Sequence, residues 1–216
     1  MARPRGFNEH EVLEAASAAF WSKGYEATST RELVRSTGLT QPSLYNAFGD
    51  KRALYLRSLQ HYLEHTLRER IDRLERTVSP AQCITLFFHE VIERAIADPG
   101  RRGCMLVNSA LEVSSDDEAF RATVAEEIAQ VRGFFHRNLV AAQRSGAIAA
   151  VVPTDDAASH LLATLIGIRV LARVTPQYEL LCGAVSPALT LLGLPALPPP
   201  ATPSAPPALA SQDGHV

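Results

Sequence analysis

The chain has 216 residues, is 46% apolar and 20% charged, and carries a formal net charge of -2. That is enough apolar material for one large core or two small ones, and the near-neutral balance excludes a protein that coats nucleic acid wholesale. The charge is uneven, however: residues 1 to 60 hold eight Lys or Arg against six Asp or Glu, and the remainder 13 against 17. A mildly basic amino-terminal end suits a few phosphate contacts combined with base reading. Met1 is followed by no leader-type apolar run, and no stretch approaches the roughly 18 to 20 uncharged apolar residues that span a bilayer, so a cytoplasmic protein without a membrane partner is expected. Cys83, Cys104 and Cys182 are widely spaced and odd in number, as free thiols of a reducing compartment are.

Residues 1–7 form a short basic arm. Two readings stay open for it: a solvated tail, or an arm that lays Arg3 and Arg5 in the minor groove or on phosphates. Asn8 and Glu11 then form a cap pair, and Val12, Leu13, Ala16, Ala19 and Phe20 recur at helical spacing up to Lys23-Gly24. Ser29 with Glu32 reads as a capping box opening a second helix near Thr30, which Gly38 ends with a sharp turn. Thr40 caps a third helix, roughly Gln41 to Phe48, with Pro42 in its first turn, where a missing N–H costs little. Leu44 and Phe48 lie four apart and pack inward, leaving Gln41, Ser43, Tyr45 and Asn46 outward. Helix, glycine turn and polar-faced helix at this spacing describe a helix-turn-helix, whose second helix reads base edges in the major groove. Phe20, Trp21 and Tyr25 read as packing aromatics.

The stretch from Phe7 to Leu59 resembles the DNA-binding domain of TetR-family transcriptional repressors. The resemblance rests on Lys23-Gly24-Tyr25 after an aromatic, Gly38-Leu39, Leu44-Tyr45 with Phe48, and Lys51 with Leu54. It covers about a quarter of the chain strongly; the rest is similar in helical layout and length. It implies a backbone contact by Lys51, at a helix N-terminus suited to phosphate. The candidate DNA-contacting set is Arg3, Arg5, Ser29, Thr30, Arg31, Thr40, Gln41, Pro42, Ser43, Tyr45, Asn46 and Lys51.

After Gly49-Asp50 a long fourth helix is expected to run from Lys51 to about Thr77, a lever between domains. Ser79-Pro80 starts another, with Cys83, Leu86, Phe87, Val91 and Ala95 on one face until Asp98-Pro99-Gly100. In Arg101 to Val113 the two arginines and a following helix start favour a thiolate at Cys104; this segment resembles the Gly-Cys segment of several TetR-type regulators, some of which sense electrophiles or oxidants there. The alternative is a small packed hydrophobe. Asn108, one turn on, faces a cavity or is satisfied in the core. Asp116 to Ser145 reads as one helix, and Phe87, Phe88, Phe134 and Phe135 are candidates to line an apolar ligand pocket with Cys104 and Asn108. Two further helices, one opening at Pro153-Thr154-Asp155 and one spanning about Gln177 to Leu192, are apolar on most sides and need a partner surface. The family resemblance implies a four-helix dimer interface over residues 155–193, for which Leu161, Leu165, Ile168, Leu181 and Leu189 are the candidates. Seven of the 14 prolines fall from Pro195 onward, so residues 194–216 read as a disordered tail.

No catalytic set emerges. His89-Glu90-Val91-Ile92-Glu93 puts a glutamate where a zinc protease needs its second histidine, and nucleophile-elbow, phosphate-loop and dinucleotide fingerprints are missing. No cofactor is expected. His61 and His65, four apart, are a weak metal pair with Cys104 or Glu64, and no metal ligand is assigned. The sequence thus predicts an all-α chain with an arm (1–7), a three-helix helix-turn-helix domain (8–55), a larger helical ligand-binding and dimerisation domain (56–193) and a tail. The function expected is a homodimeric repressor on a pseudo-palindromic double-stranded operator, with half-sites about 34 Å or multiples of it apart, released by a small-molecule effector or by modification of Cys104. The alternative is a helical enzyme or metal-binding protein whose helix-turn-helix is only structural.

Overall fold

The computed structural model describes residues 6–112 and 117–200. The arm bearing Arg3 and Arg5, and residues 201–216 of the expected tail, lie outside the described residues. All regular elements among the described residues are helices.

Helix α1 (Glu9–Lys23) starts where the Asn8 side chain accepts the His10 N–H at 3.0 Å. Its Val12, Leu13, Ala16 and Phe20 are buried against α4 (Lys51–Leu63), where the Phe20 and Tyr55 rings meet edge-on at 4.9 Å. Between them lie α2 (Thr30–Thr37), opened by the Ser29–Glu32 capping box, and α3 (Gln41–Phe48), capped by Thr40 with Pro42 in its first turn. The turn joining them needs Gly38, whose φ of 69° lies in the left-handed region where a side chain is strained. Leu33, Leu44 and Phe48 close the small core beneath this turn.

The expected fourth helix reaches Thr77 but is not uniform. After α4 comes a π-helical turn, Glu64–Arg68, and then α5 (Glu69–Thr77). The turn buries no residue of its own; it is held instead by Arg68, whose Nη2 donates to both oxygens of the buried Glu127 at 2.7 Å. Such a widened turn is a natural hinge.

The larger domain comprises α6 (Pro80–Ala97), α7 (Met105–Glu112), α8 (Glu118–Arg144), α9 (Thr154–Val174) and α10 (Tyr178–Leu191). Helix α8 lies against α6 and α9, and α10 closes on α9 and α6. By length and composition α9 is apolar enough to cross a bilayer when its charged residues are tolerated, and 33% of its most apolar window is buried inside the chain. That buried part packs against α8 and α10, while Val170, Leu171 and Val174 stay exposed.

Three expectations need correction. Phe88, Phe134 and Phe135 pack with Phe87 in a buried aromatic cluster, ring centroids 5.0–6.2 Å apart, and do not border the apolar cavity described below. Leu161, Leu165, Ile168, Leu181 and Leu189 do not face a partner either, because all five are buried within their own chain. The outer faces of these helices are carried by Ala163, Gly167, Leu171 and Val174 on α9, and by Leu180, Gly183, Ala184, Pro187 and Leu191 on α10. Finally, residues 194–200 do not start a loose tail. Leu194 is buried, Pro195 accepts a hydrogen bond from Thr85 Oγ1 at 2.8 Å, and Pro198 accepts one from the Tyr178 hydroxyl at 2.8 Å. Proline keeps its carbonyl acceptor, so a proline-rich strap can still be pinned by side-chain donors.

Because Phe135 is fully buried in the aromatic cluster that joins α6 to α8, Phe135→Ala should lower unfolding stability by about 3–5 kcal/mol, read from urea denaturation followed by circular dichroism.

Candidate DNA-reading face and effector cavity

On α3, Gln41, Pro42, Ser43 and Asn46 are exposed while Leu44 and Phe48 are buried, so the polar side stands free of the chain. Tyr45 is half-buried, and its hydroxyl is 2.7 Å from Thr30 Oγ1, which fixes the angle between α2 and α3. Thr40 accepts the Ser43 N–H and bonds the Ser43 hydroxyl at 2.9 Å. Ser29 is committed to its cap: its N–H and hydroxyl both donate to Glu32 Oε2, at 3.0 and 2.9 Å. A hydrogen bond from Lys23, then those from Ser29, hold the Glu32 carboxyl down to about 2. Arg31 is exposed and has no ion-pair partner among the described residues. Lys51 stands at the first position of α4, over the Tyr25 ring at 4.5 Å and donating to Glu26 O at 3.4 Å. Ser29, Thr30, Thr40, Ser43 and Tyr45 therefore present a braced surface, and Gln41, Asn46 and Arg31 the side chains with no bond among the described residues.

Between α4, α7 and α9 lies a cavity of about 110 Å³, lined by apolar side chains including Phe87, Leu106, Val107, Leu162 and Leu165, and by Cys104. Of the expected pocket residues only Phe87 and Cys104 border it. Asn108 does not; it is buried, donating to Arg102 O at 3.0 Å and accepting from Arg173 at 2.9 Å. The cavity's charged lining consists of two arginines, Arg70 and Arg169, with no carboxylate. Arg70 is 5% exposed, and its Nε–H finds no hydrogen-bond acceptor. Glu90 lies 3.4 Å from that nitrogen, near enough for attraction but not aligned to accept, while both its oxygens take bonds from Arg73 at 2.7 Å. Burial, then Arg94 and Arg169, push the Arg70 guanidinium down to about 10, still charged at neutral pH. A buried cation whose one counter-charge is shared with Arg73, and whose Nε–H is unbonded, is only partly compensated, and an anion in the apolar cavity offsets the remaining cost.

Helix α7 joins this cavity to the DNA unit. Its Leu106, Val107, Ala110 and Leu111 face the cavity, while Ser109 Oγ is 2.7 Å from the Tyr55 hydroxyl and Glu112 accepts the Tyr25 N–H at 2.5 Å. Gly24 lets the Glu112 carboxylate come this close, since a Cβ there would overlap it. Just before α7, Gly103 O accepts the Trp21 indole N–H at 3.2 Å, and the Arg102 guanidinium stacks 3.8 Å over that ring. Arg52, on α4, donates bidentately to Asp117, the N-cap of α8, at 2.6 Å for both bonds. Sequence reading missed Ser109, Glu112, Arg70 and Arg169. Only Arg169 left a signal, as a charge in the apolar run of α9. His61 and His65 are brought together, but with His10 rather than Cys104 or Glu64: Glu64 pairs with Arg68 and Cys104 lines the cavity.

A freestanding polar recognition helix in a helix-turn-helix, joined by a short helix to an apolar cavity, defines a transcriptional regulator of the helix-turn-helix class. Residues 12–57 match the family model described as bacterial regulatory proteins, tetR family, and residues 84–184 match the tetracyclin repressor-like C-terminal domain. The structure is similar to that of the TetR family regulator CifR, a cysteine mutant complexed with 26-base-pair operator DNA, with a TM-score of 0.79 and 30% identity over 90% of this chain and 100% of that one. Among curated relatives, the chain is 29% identical to the uncharacterized HTH-type regulator YezE of Bacillus subtilis over 89% of this chain and 100% of that protein. It is 26% identical to the repressor ComR of Escherichia coli over 82% and 85% of the two chains. The chain belongs to the TetR family.

The Arg52–Asp117 bridge makes a pH prediction. The hydrogen bond from Arg52, then the Phe120 N–H, hold the Asp117 carboxyl below its usual range. A depressed folded-state value stabilises above the unfolded value of about 3.9 and loses that stabilisation as pH falls through the folded value. Asp117→Asn, which keeps the cap, should therefore melt below wild type at pH 7, with the two melting temperatures converging in acid.

Proposed function

We propose that the protein is a cytoplasmic, homodimeric repressor, not an enzyme, that binds a pseudo-palindromic operator through α3 and releases it when a small molecule occupies the cavity beneath α7. The observation that carries this reading is the double contact of α7, which touches the cavity with one side and Tyr25 and Tyr55 of the DNA unit with the other. An occupant that favours a displaced α7 shifts the population away from the DNA-competent arrangement. Modification of the half-buried Cys104 at the same wall acts in the same direction. The second copy seats on the outer faces of α9 and α10. Small residues there let helices approach closely: a Cβ at Gly167 or Gly183 meets nothing within 4 Å in the single chain. The dimer places two recognition helices on half-sites about one helical turn, or a multiple of it, apart.

The direct test is fluorescence anisotropy on operator DNA. Tyr45→Ala should weaken binding at least tenfold, and Lys51→Ala should weaken it while lowering the salt slope by about one phosphate. Gly167→Arg should give a monomer by light scattering and lose operator binding with it. Wild-type affinity in all three overturns the reading.

The arginine-lined cavity also selects its occupant: a small apolar body with one anionic group, which neutralises Arg70 and Arg169 as it buries the apolar part. Aromatic and short aliphatic carboxylates should raise the melting temperature of wild type where the matching primary amides do not, and Arg70→Gln should erase the difference. Equal shifts for acid and amide would remove the anion from the assignment.

A further inference from the structure

We propose that His10, His61 and His65 form a binding site for a late first-row divalent metal ion, of which Zn²⁺ is the representative, clamping α1 to the π-helical turn. The three imidazoles come from two separate parts of the chain. His10 lies in the first turn of α1, His61 in the last turn of α4, and His65 within the π-helical turn. Their ring centroids are 4.7, 5.1 and 4.5 Å apart, and they offer ligand nitrogens that all lie within 4.8 Å of one another. Three nitrogens at Zn–N bonds of about 2.0–2.1 Å in tetrahedral array sit roughly 3.4 Å apart, so small torsions of part-exposed side chains close the set.

Two details favour ligation over a chance meeting of histidines. His65 Nδ1 is 2.8 Å from Glu69 Oε1, which leaves Nε2 for a metal in the carboxylate–histidine–metal arrangement that orients ligands in known sites. His61 is half-buried and meets both other rings edge-on, so it joins the α1 ligand to the ligand of the π-helical turn. Glu14, one turn along α1 from His10, lines the same cleft and supplies a fourth oxygen or holds a water. Arg102, the cation in that cleft, is offset by its pair with Asp98 at 3.0 Å. Neutral imidazoles with one oxygen suit Zn²⁺, Co²⁺, Ni²⁺ or Cu²⁺ rather than Mg²⁺ or Ca²⁺. Since α1 belongs to the DNA unit and the π-helical turn leads into the larger domain, the bound ion fixes their joint.

The test uses tag-free, chelator-treated full-length protein titrated with Zn²⁺ by calorimetry and with Co²⁺ by visible absorption, both readouts independent of DNA. Wild type should bind one ion per chain, give the intense Co²⁺ bands of a tetrahedral site, and melt higher with Zn²⁺. His10→Ala and His61→Ala should each weaken binding at least tenfold and abolish the melting shift, and Glu69→Gln should weaken it by about tenfold or more. Circular dichroism of the metal-free variants should match wild type. Absence of Zn²⁺ binding in wild type, or undiminished binding in both histidine variants, overturns the site; loss on Cys104→Ser instead assigns the ion to the thiol and overturns it equally.

Discussion

The structure depends on the seam where α7 meets the helix-turn-helix unit. Tyr55 to Ser109, Tyr25 to Glu112 and Trp21 to Gly103 are three hydrogen bonds at 2.5–3.2 Å between side chains or backbone of the two domains. They are short and directional, and the Tyr55–Ser109 bond is buried, so they switch rather than stretch when α7 moves. Residues 105–112 are too short a helix to be stable alone; α7 is held by the cavity wall on one side and the DNA unit on the other. An element held only by its neighbours transmits what happens to either of them.

The cavity wall has its own imbalance. Glu90 is engaged by Arg73 with both oxygens, which leaves Arg70 Nε–H near that carboxylate but without an aligned acceptor, and Arg94 and Arg169 add positive charge nearby. Burying a guanidinium that shares its one carboxylate with Arg73 works against stability, and an anionic occupant relieves that cost where the apolar lining gains contact. In the proposed reading, binding at this position couples charge compensation to movement of the wall that α7 forms.

A second joint lies at the C-terminal end of α4. The π-helical turn departs from regular α geometry just where His61 and His65 meet His10, and where Arg68 reaches the buried Glu127. The lever between the domains is therefore articulated, tied to α8 by Arg68–Glu127 at the turn and by Glu75 with Arg137 and Asn138 beyond it, and meeting α1 at the turn through the imidazoles.

Local chemistry made much of this legible in advance. Cap pairs at Asn8–Glu11, Ser29–Glu32 and Thr40, the glycine at position 38 and the Leu44–Phe48 pair act over three or four residues, so the helix-turn-helix and its outward face could be read directly from sequence, as could most helix limits. What sequence could not show was which side of an apolar helix faces its own core: Leu161, Leu165, Ile168, Leu181 and Leu189 are as hydrophobic as residues on the outer face, and only the packing of α8, α9 and α10 turns them inward. The same holds for Phe88, Phe134 and Phe135, whose apolarity fits a pocket wall or a solid core equally well. His10 joins His61 and His65 across 51 residues of chain, and Arg70 meets Arg169 across 99. Hydrophobic periodicity records that a face is buried, not against what; convergence of distant polar groups is decided only when the helices pack, because no local rule links residues that far apart.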